Sequence, residues 1–154
     1  MKVTPNKLNK FLMFKLPSAF LCGVRLKELT NEKTIVSVRH RWINQNPFKS
    51  MYFAVQSMAA ELSTGALVIA KIQESGKKIS MLVTNHEGEF SKKAVGKIRF
   101  VCEDGKLIDK ALADAIEFGE GQKIVMKSVG YDEENDIVST YKFEWSVKEK
   151  SIKV

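Results

Sequence analysis

Residues 50–70 contain a single charged side chain, Glu61. A carboxylate held in apolar surroundings has a raised pKa, and it can serve as a general base on water or as a nucleophile on an acyl carbon. Read as a helix at 100° per residue, the segment places Ser50, Ser57, Glu61, Thr64 and Lys71 on one narrow stripe, with Ala54 and Val68 filling its gaps. Ser57 and Thr64 then lie one turn either side of Glu61, where their hydroxyls can hold a water or a substrate arm. The competing reading is a Glu paired with Lys or Arg at a subunit interface, because buried carboxylates usually find a cation.

Other polar side chains divide in the same way. The amide of Asn46 can donate to a substrate carbonyl or position water, whereas Asn46-Pro47 can also simply make the turn before the helix. Tyr52 offers a hydroxyl donor, or a core aromatic. His40 alternates with Val36, Val38 and Trp42 on an apolar strand face, where it can pair with Glu61 or act as a hydrogen-bonded core histidine. His86 lies by an expected loop and reads as solvated. Cys22 and Cys102 have no activating neighbour in sequence, and Cys102 falls on an apolar strand face. Lys92, Lys93, Lys97 and Arg99 can meet phosphates, or form an ordinary solvated face. There is no CxxC pair, Cys/His cluster, Walker loop, GxGxxG or GxSxG, so no metal site or nucleotide loop is expected.

The chain has 154 residues, a net charge of +7 and a pI near 9.4, with 44% apolar and 28% charged residues. These are the proportions of a globular domain with a substantial core. A nucleic-acid binder would need a continuous basic face with exposed aromatics, and the cations here come in ones and twos, so no nucleic-acid partner is expected. Lysines interrupt residues 1–15, which therefore lack the apolar run of a signal peptide, and a cytoplasmic location is expected. Residues 50–70 are long enough to span a bilayer, but a central Glu61 costs about 2.5–3.5 kcal/mol there. A buried helix, without membrane insertion, is the better reading.

These residues are positioned by a simple order of elements. An N-terminal helix is expected over 6–21, kinked or ended at Pro17 with a further turn to Leu21. A hairpin follows, with strands over 23–29 and 34–42, and then a turn at 44–47 and the long helix over 50–73. Strands are expected over 79–86 and 94–102, with a bend at 87–89 between them. A helix capped by Asp104 should run to 118, strands over 123–131 and 137–147 close the fold, and 148–154 is a frayed tail. The whole of 1–154 reads as one α+β domain. So apolar a central helix requires an antiparallel sheet of about six strands curled around it, because a flat sheet cannot cover it.

That is the hotdog arrangement, and the residues around the helix strengthen the match. Asn46 to Ala54, followed by Met58-Ala59-Ala60-Glu61-Leu62-Ser63-Thr64-Gly65, resembles an uncharacterised hotdog family grouped with the thioesterases. More distantly it is similar to the phenylacetate-pathway type of acyl-CoA thioesterase. That type has an Asn in the turn before the helix, His-Gly-Gly at its first turn, and an acidic residue nine positions after the His. Asn46 and Ala60-Glu61 match this pattern, and Tyr52 stands nine positions before Glu61. Tyr52-Phe53-Ala54 replaces His-Gly-Gly, so side chains crowd the amides that would polarise a thioester carbonyl.

The resemblance implies an acyl-thioester hydrolase acting on coenzyme A or carrier thioesters, with no cofactor beyond the coenzyme A of the substrate. Glu61 and Asn46 would be its catalytic residues, and Tyr52, Phe53, Ser57 and Thr64 would contact substrate. It also implies a homodimer, or a tetramer, with the site lined from two chains. The alternative is a non-catalytic module that binds acyl or lipid ligands in the same tunnel.

Overall fold

The computed structural model describes residues 3–150. It opens with two short helices, α1 (Pro5–Lys15) and α2 (Pro17–Leu21). The Thr4 hydroxyl caps α1 by accepting from the Lys7 amide, and Pro5 occupies a first-turn position where its missing N–H costs nothing. The helix expected over 6–21 is thus broken in two. Pro17 excludes Leu16 from helical geometry, and Leu16 adopts φ −133° and ψ 59°.

Strands β1 (Arg25–Leu29) and β2 (Thr34–Arg39) form the first hairpin. β2 ends three residues before the expected position because Asn44 pulls the chain into a 3-10 turn, Trp42–Asn44. The Asn44 side chain accepts from the Arg41 amide at 2.8 Å and donates to the carbonyls of Arg39 and Cys22 at 2.9 and 3.0 Å. Trp42, expected on the buried face, is consequently 83% exposed.

The long helix is α3 (Phe53–Ser75), displaced by two to three residues from its expected bounds. It is followed by β3 (Ile79–Phe90), β4 (Lys97–Cys102), α4 (Gly105–Phe118), β5 (Gln122–Tyr131) and β6 (Ile137–Glu149). The six strands make one antiparallel sheet in the order β1-β2-β4-β5-β6-β3. β3 runs straight through the expected bend: Glu87, Gly88 and Glu89 pair with Lys142, Tyr141 and Thr140, and the irregularity falls between Val83 and Asn85 instead. Gly88 is what allows this, since a Cβ there would stand 2.8 Å from the Tyr141 ring. The tail expected to fray from 148 begins later, because Lys148 and Glu149 still pair with Ser80 and Ile79. Residues 151–154 of that tail lie outside the described residues.

The sheet curls around α3, which is the hotdog arrangement. Ala59, Ala60, Ala66, Leu67 and Val68 are wholly buried, and the small residues among them let the strands approach closely. The polar stripe of α3 is partly covered: Thr64 is buried, and Ser57 and Glu61 are half-buried. It lies largely against β6: Ser57 donates to the Tyr141 hydroxyl at 3.2 Å, and the Trp145 indole N–H donates to Thr64 Oγ1 at 2.9 Å. Lys71, at the far end, pairs with Asp109 of α4 at 2.8 Å. Ser63 adds bonds to Ser128 of β5, at 2.7 Å, and through its carbonyl to the Thr34 hydroxyl of β2. These bonds tie α3 to β2, β5 and β6, so they fix the register of helix against sheet.

Asp104 precedes α4, but its carboxylate accepts from the Lys127 amide at 2.6 Å rather than capping the helix. It thereby ties α4 to β5.

Thr64→Val keeps the shape of the side chain and leaves the buried Trp145 N–H without an acceptor. Urea denaturation should show a loss of about 1–3 kcal/mol. An unchanged midpoint would mean that the indole finds another partner.

Candidate functional site

Two places on α3 carry groups that are not used by the fold. The first is its N-terminus. The loop before it is held by Asn46, whose side-chain oxygen accepts from the Phe48 and Ser50 amides at 2.9 and 3.3 Å. Its Nδ2 donates to Ser50 Oγ at 3.0 Å and to the Met51 carbonyl at 3.4 Å. Lys49 takes the left-handed conformation, φ 58°, to close this turn. Asn46 therefore spends both ends of its amide on the loop.

Tyr52 occupies the N-cap position of α3 without a capping side-chain bond. The first bonded amides are those of Val55 and Gln56, which both donate to the Tyr52 carbonyl. The Phe53 and Ala54 amides have no acceptor among the described residues, and they sit at the positive end of a 23-residue helix. A cavity of 510 Å³ opens here, lined in part by Asn46, Tyr52, Phe53, Gln56, Phe90 and Lys93. Phe53 lies edge-on to Tyr52 at 5.0 Å and to Phe90 at 6.3 Å, making an aromatic wall.

The second place is Glu61. Its carboxylate is half-buried and has neither a cation nor a hydrogen-bond donor among the described residues. Burial alone raises its pKa above the ordinary carboxylate value. Gly65 makes room for it. A Cβ at that position would stand 3.4 Å from Glu61 Oε1 and 3.1 Å from the Trp145 ring, so the carboxylate rests over the glycine beside the indole.

The structure thus gathers Asn46, Tyr52 and Phe53 at one cavity, while Glu61 lies seven residues beyond Ala54, about 10 Å along the helix. Ser57 stands between them, sharing its hydroxyl between the Phe53 carbonyl at 3.0 Å and Tyr141. Thr64 is wholly buried and committed to Trp145. Sequence reasoning passed over Tyr141, Trp145 and Phe90, which surround these groups. Tyr141 and Trp145 were visible only as the alternation of β6, which does not say which helix residues they meet.

The remaining candidates are placed elsewhere. No bond joins His40 to Glu61; the His40 ring is half-buried with its Nε2 unpartnered. Burial pushes the Cys102 thiol up to about 12, which removes it as a nucleophile. The basic group over 92–99 does not act as one patch. Lys92 reaches Asp132, Asp136 and Glu134 at 2.6, 2.8 and 3.4 Å, and these bonds hold its pKa high and that of Asp132 low. Arg99 bonds Asn135 at 2.7 Å. Lys93 remains at the cavity, with its ammonium 3.4 Å from the Phe48 carbonyl.

A family model described as a domain of unknown function (DUF4442) matches residues 5–147. None of the curated proteins matches the chain. Among solved structures, a protein from Pseudomonas aeruginosa described as a probable thioesterase superposes with a TM-score of 0.82 at 20% identity, over 97% of this chain and 99% of that one. A protein of unknown function from Chlorobaculum tepidum gives 0.81 at 16% identity, over 97% and 99%. A thioesterase from Haemophilus influenzae gives 0.75 at 14% identity, over 97% and 93%. At these identities the likeness is one of fold, the hotdog fold.

The raised pKa of Glu61 has a sign that can be measured. The folded chain holds this proton more tightly than the unfolded one. The resulting stability is fully present below the ordinary Glu pKa of 4.5 and is lost as pH rises through the folded value. Glu61→Gln should therefore melt with the wild type in acid, and about 2–5 °C above it at pH 8. Parallel melting curves at every pH would show that the carboxylate is not desolvated.

Proposed function

The chain belongs to the DUF4442 family, and from that membership, its hotdog fold and the unpartnered carboxylate of Glu61 we propose that it hydrolyses acyl thioesters. The substrate class is acyl-coenzyme A or an acyl carrier thioester. Glu61 takes a proton from water, the resulting hydroxide adds to the thioester carbonyl, and the oxyanion is held by the Phe53 and Ala54 amides. Collapse of the adduct breaks the carbon–sulfur bond, and the proton on Glu61 passes to the departing thiolate. Direct attack by Glu61 through an acyl anhydride uses the same groups.

The observation that carries this reading is Glu61 itself. A half-buried carboxylate without a partner is costly, and its survival in the middle of the central helix calls for a use. The neighbours described as thioesterases support it. The spacing on α3 adds a condition. Base and oxyanion donors must each come within about 3 Å of one thioester group, yet within one chain they are about 10 Å apart along the helix. The site therefore combines Glu61 of one protomer with the helix N-terminus of a second. β3 suits the junction: it is an edge strand of twelve residues, largely exposed, and antiparallel pairing with its own copy would give a homodimer with one continuous sheet. Two such dimers would make a tetramer.

A second reading has an observation of its own. Phe53 and Ala54 place side chains where a thioester carbonyl has to approach the amides, and the aromatic wall suits an acyl chain better than a reacting carbonyl. The chain is then an acyl-binding module, and Glu61 belongs to the dimer contact.

Thiol release from short, aromatic and long acyl-coenzyme A thioesters decides between them. Turnover should rise with pH as Glu61 ionises and fall at least 100-fold in Glu61→Gln with the oligomer intact. Turnover retained in that variant removes Glu61 from the chemistry, and none on any substrate leaves the binding module.

A further inference from the structure

One basic segment of the chain also exposes a run of large apolar side chains. Residues 5–27 carry Lys7, Lys10, Lys15, Arg25 and Lys27 and no Asp or Glu, against a net +7 for the whole chain. The same residues, which form α1, α2 and the start of β1, also expose Phe11, Met13, Phe14, Leu16 and Leu21. Phe14 is 74% and Leu21 66% exposed.

This is not the face by which α1 joins the domain. Leu8 and Leu12 are buried beneath it, and Asn9 exchanges two 2.9 Å hydrogen bonds with the Leu26 backbone. At 100° per residue, Phe14 falls about 140° and Phe11 about 80° from the middle of the face made by Leu8 and Leu12, with Lys10 on one side of the pair and Lys15 on the other. The surface continues past α2. Asn44 bonds the Cys22 carbonyl and so sets the 3-10 turn beside the end of α2, and that turn exposes Trp42 and Ile43. Arg25 stacks on Phe20 at 3.7 Å, close enough to Arg41 for the two charges to repel.

Singly exposed apolar residues are ordinary. Here they coincide with a stretch of cations that holds no acidic residue, on a helix anchored from behind by Leu8, Asn9 and Leu12. A nucleic acid would answer the charge and leave exposed Leu, Met and Ile in water. A bilayer with anionic headgroups answers both, because Phe and Leu enter the boundary of headgroup and acyl chain while lysines stay among the phosphates.

We propose that the face of α1 and α2 docks on an anionic lipid bilayer, with Phe11, Phe14 and Leu21 at the headgroup boundary and Lys10 and Lys15 against lipid phosphates. The protein lies on the surface, and α3 keeps its place inside the sheet. The docking is independent of thioester chemistry and requires no turnover.

Co-sedimentation with vesicles tests it, using phosphatidylcholine alone and phosphatidylcholine with about one-third phosphatidylglycerol. Binding should be at least about tenfold tighter to the anionic vesicles and weaken as salt rises from about 0.1 to about 0.5 M. Phe11→Ser/Phe14→Ser and Lys10→Glu/Lys15→Glu should each lower it about tenfold. All four side chains are exposed, so circular dichroism and melting temperature should stay at wild-type values. The proposal falls if neither vesicle binds the protein, or if both variants bind as wild type does. It also falls if only the Lys variant loses binding, which would make the surface a general polyanion site. A change of oligomeric mass in the Phe variant without vesicle binding would assign the face to a contact between copies.

Discussion

Burying α3 is the constraint on which the rest depends. The helix has 23 residues, and from its N-terminus to Lys71 its only charged side chain is Glu61. No single neighbouring helix covers such a cylinder on enough sides, whereas a twisted sheet of six strands does. The buried alanines and Gly65 set how near the strands come, and the aromatic side chains of β6 fill the space that this leaves. Packing of this kind tolerates few polar atoms, which is why nearly every hydroxyl on the buried surface is matched to a strand.

Glu61 is the exception to that matching. Thr64, Ser63 and Gln56 each find partners on the sheet, so the helix is not short of means to satisfy polar groups. The carboxylate alone is left beside Trp145 with only solvent to stabilise it, and its proton is held correspondingly tightly. The helix N-terminus is similar in kind: the Phe53 and Ala54 amides have no acceptor among the described residues, and no side chain caps them beside the cavity that Phe53 lines. Both are costs that the fold carries without using them, and both lie on the helix that the sheet wraps. Along the helix they stand about 10 Å apart, two fixed points on α3.

Charge shows a comparable division between local and assembled properties. Counted by neighbours in sequence, the densest basic group is 92–99, yet folding neutralises its first member against the acidic turn of β5 and β6. The sparser lysines of α1 meet no acidic residue in their own segment and are set among exposed Phe and Leu. Density of charge along a chain therefore does not show which cations the fold leaves unneutralised.

The sequence by itself determined the class of the fold, the central helix, the six strands and the place of Glu61 as the lone charge of residues 50–70. These are written in local periodicity and composition, which act over a few residues. It also marked the break at Pro17 and the turn at Asn46, where backbone chemistry leaves little choice. Tertiary structure decided the rest. Whether Glu87-Gly88-Glu89 bends or runs on depended on Tyr141, which lies more than fifty residues away in sequence. Trp42 was turned outward by the bonds of Asn44, and Asn46 was drawn into its own loop. That Thr64 serves Trp145 while Glu61 serves nothing in its own chain follows from the register of a strand against a helix. No spacing along the chain encodes that register, because it is fixed only when both surfaces are packed.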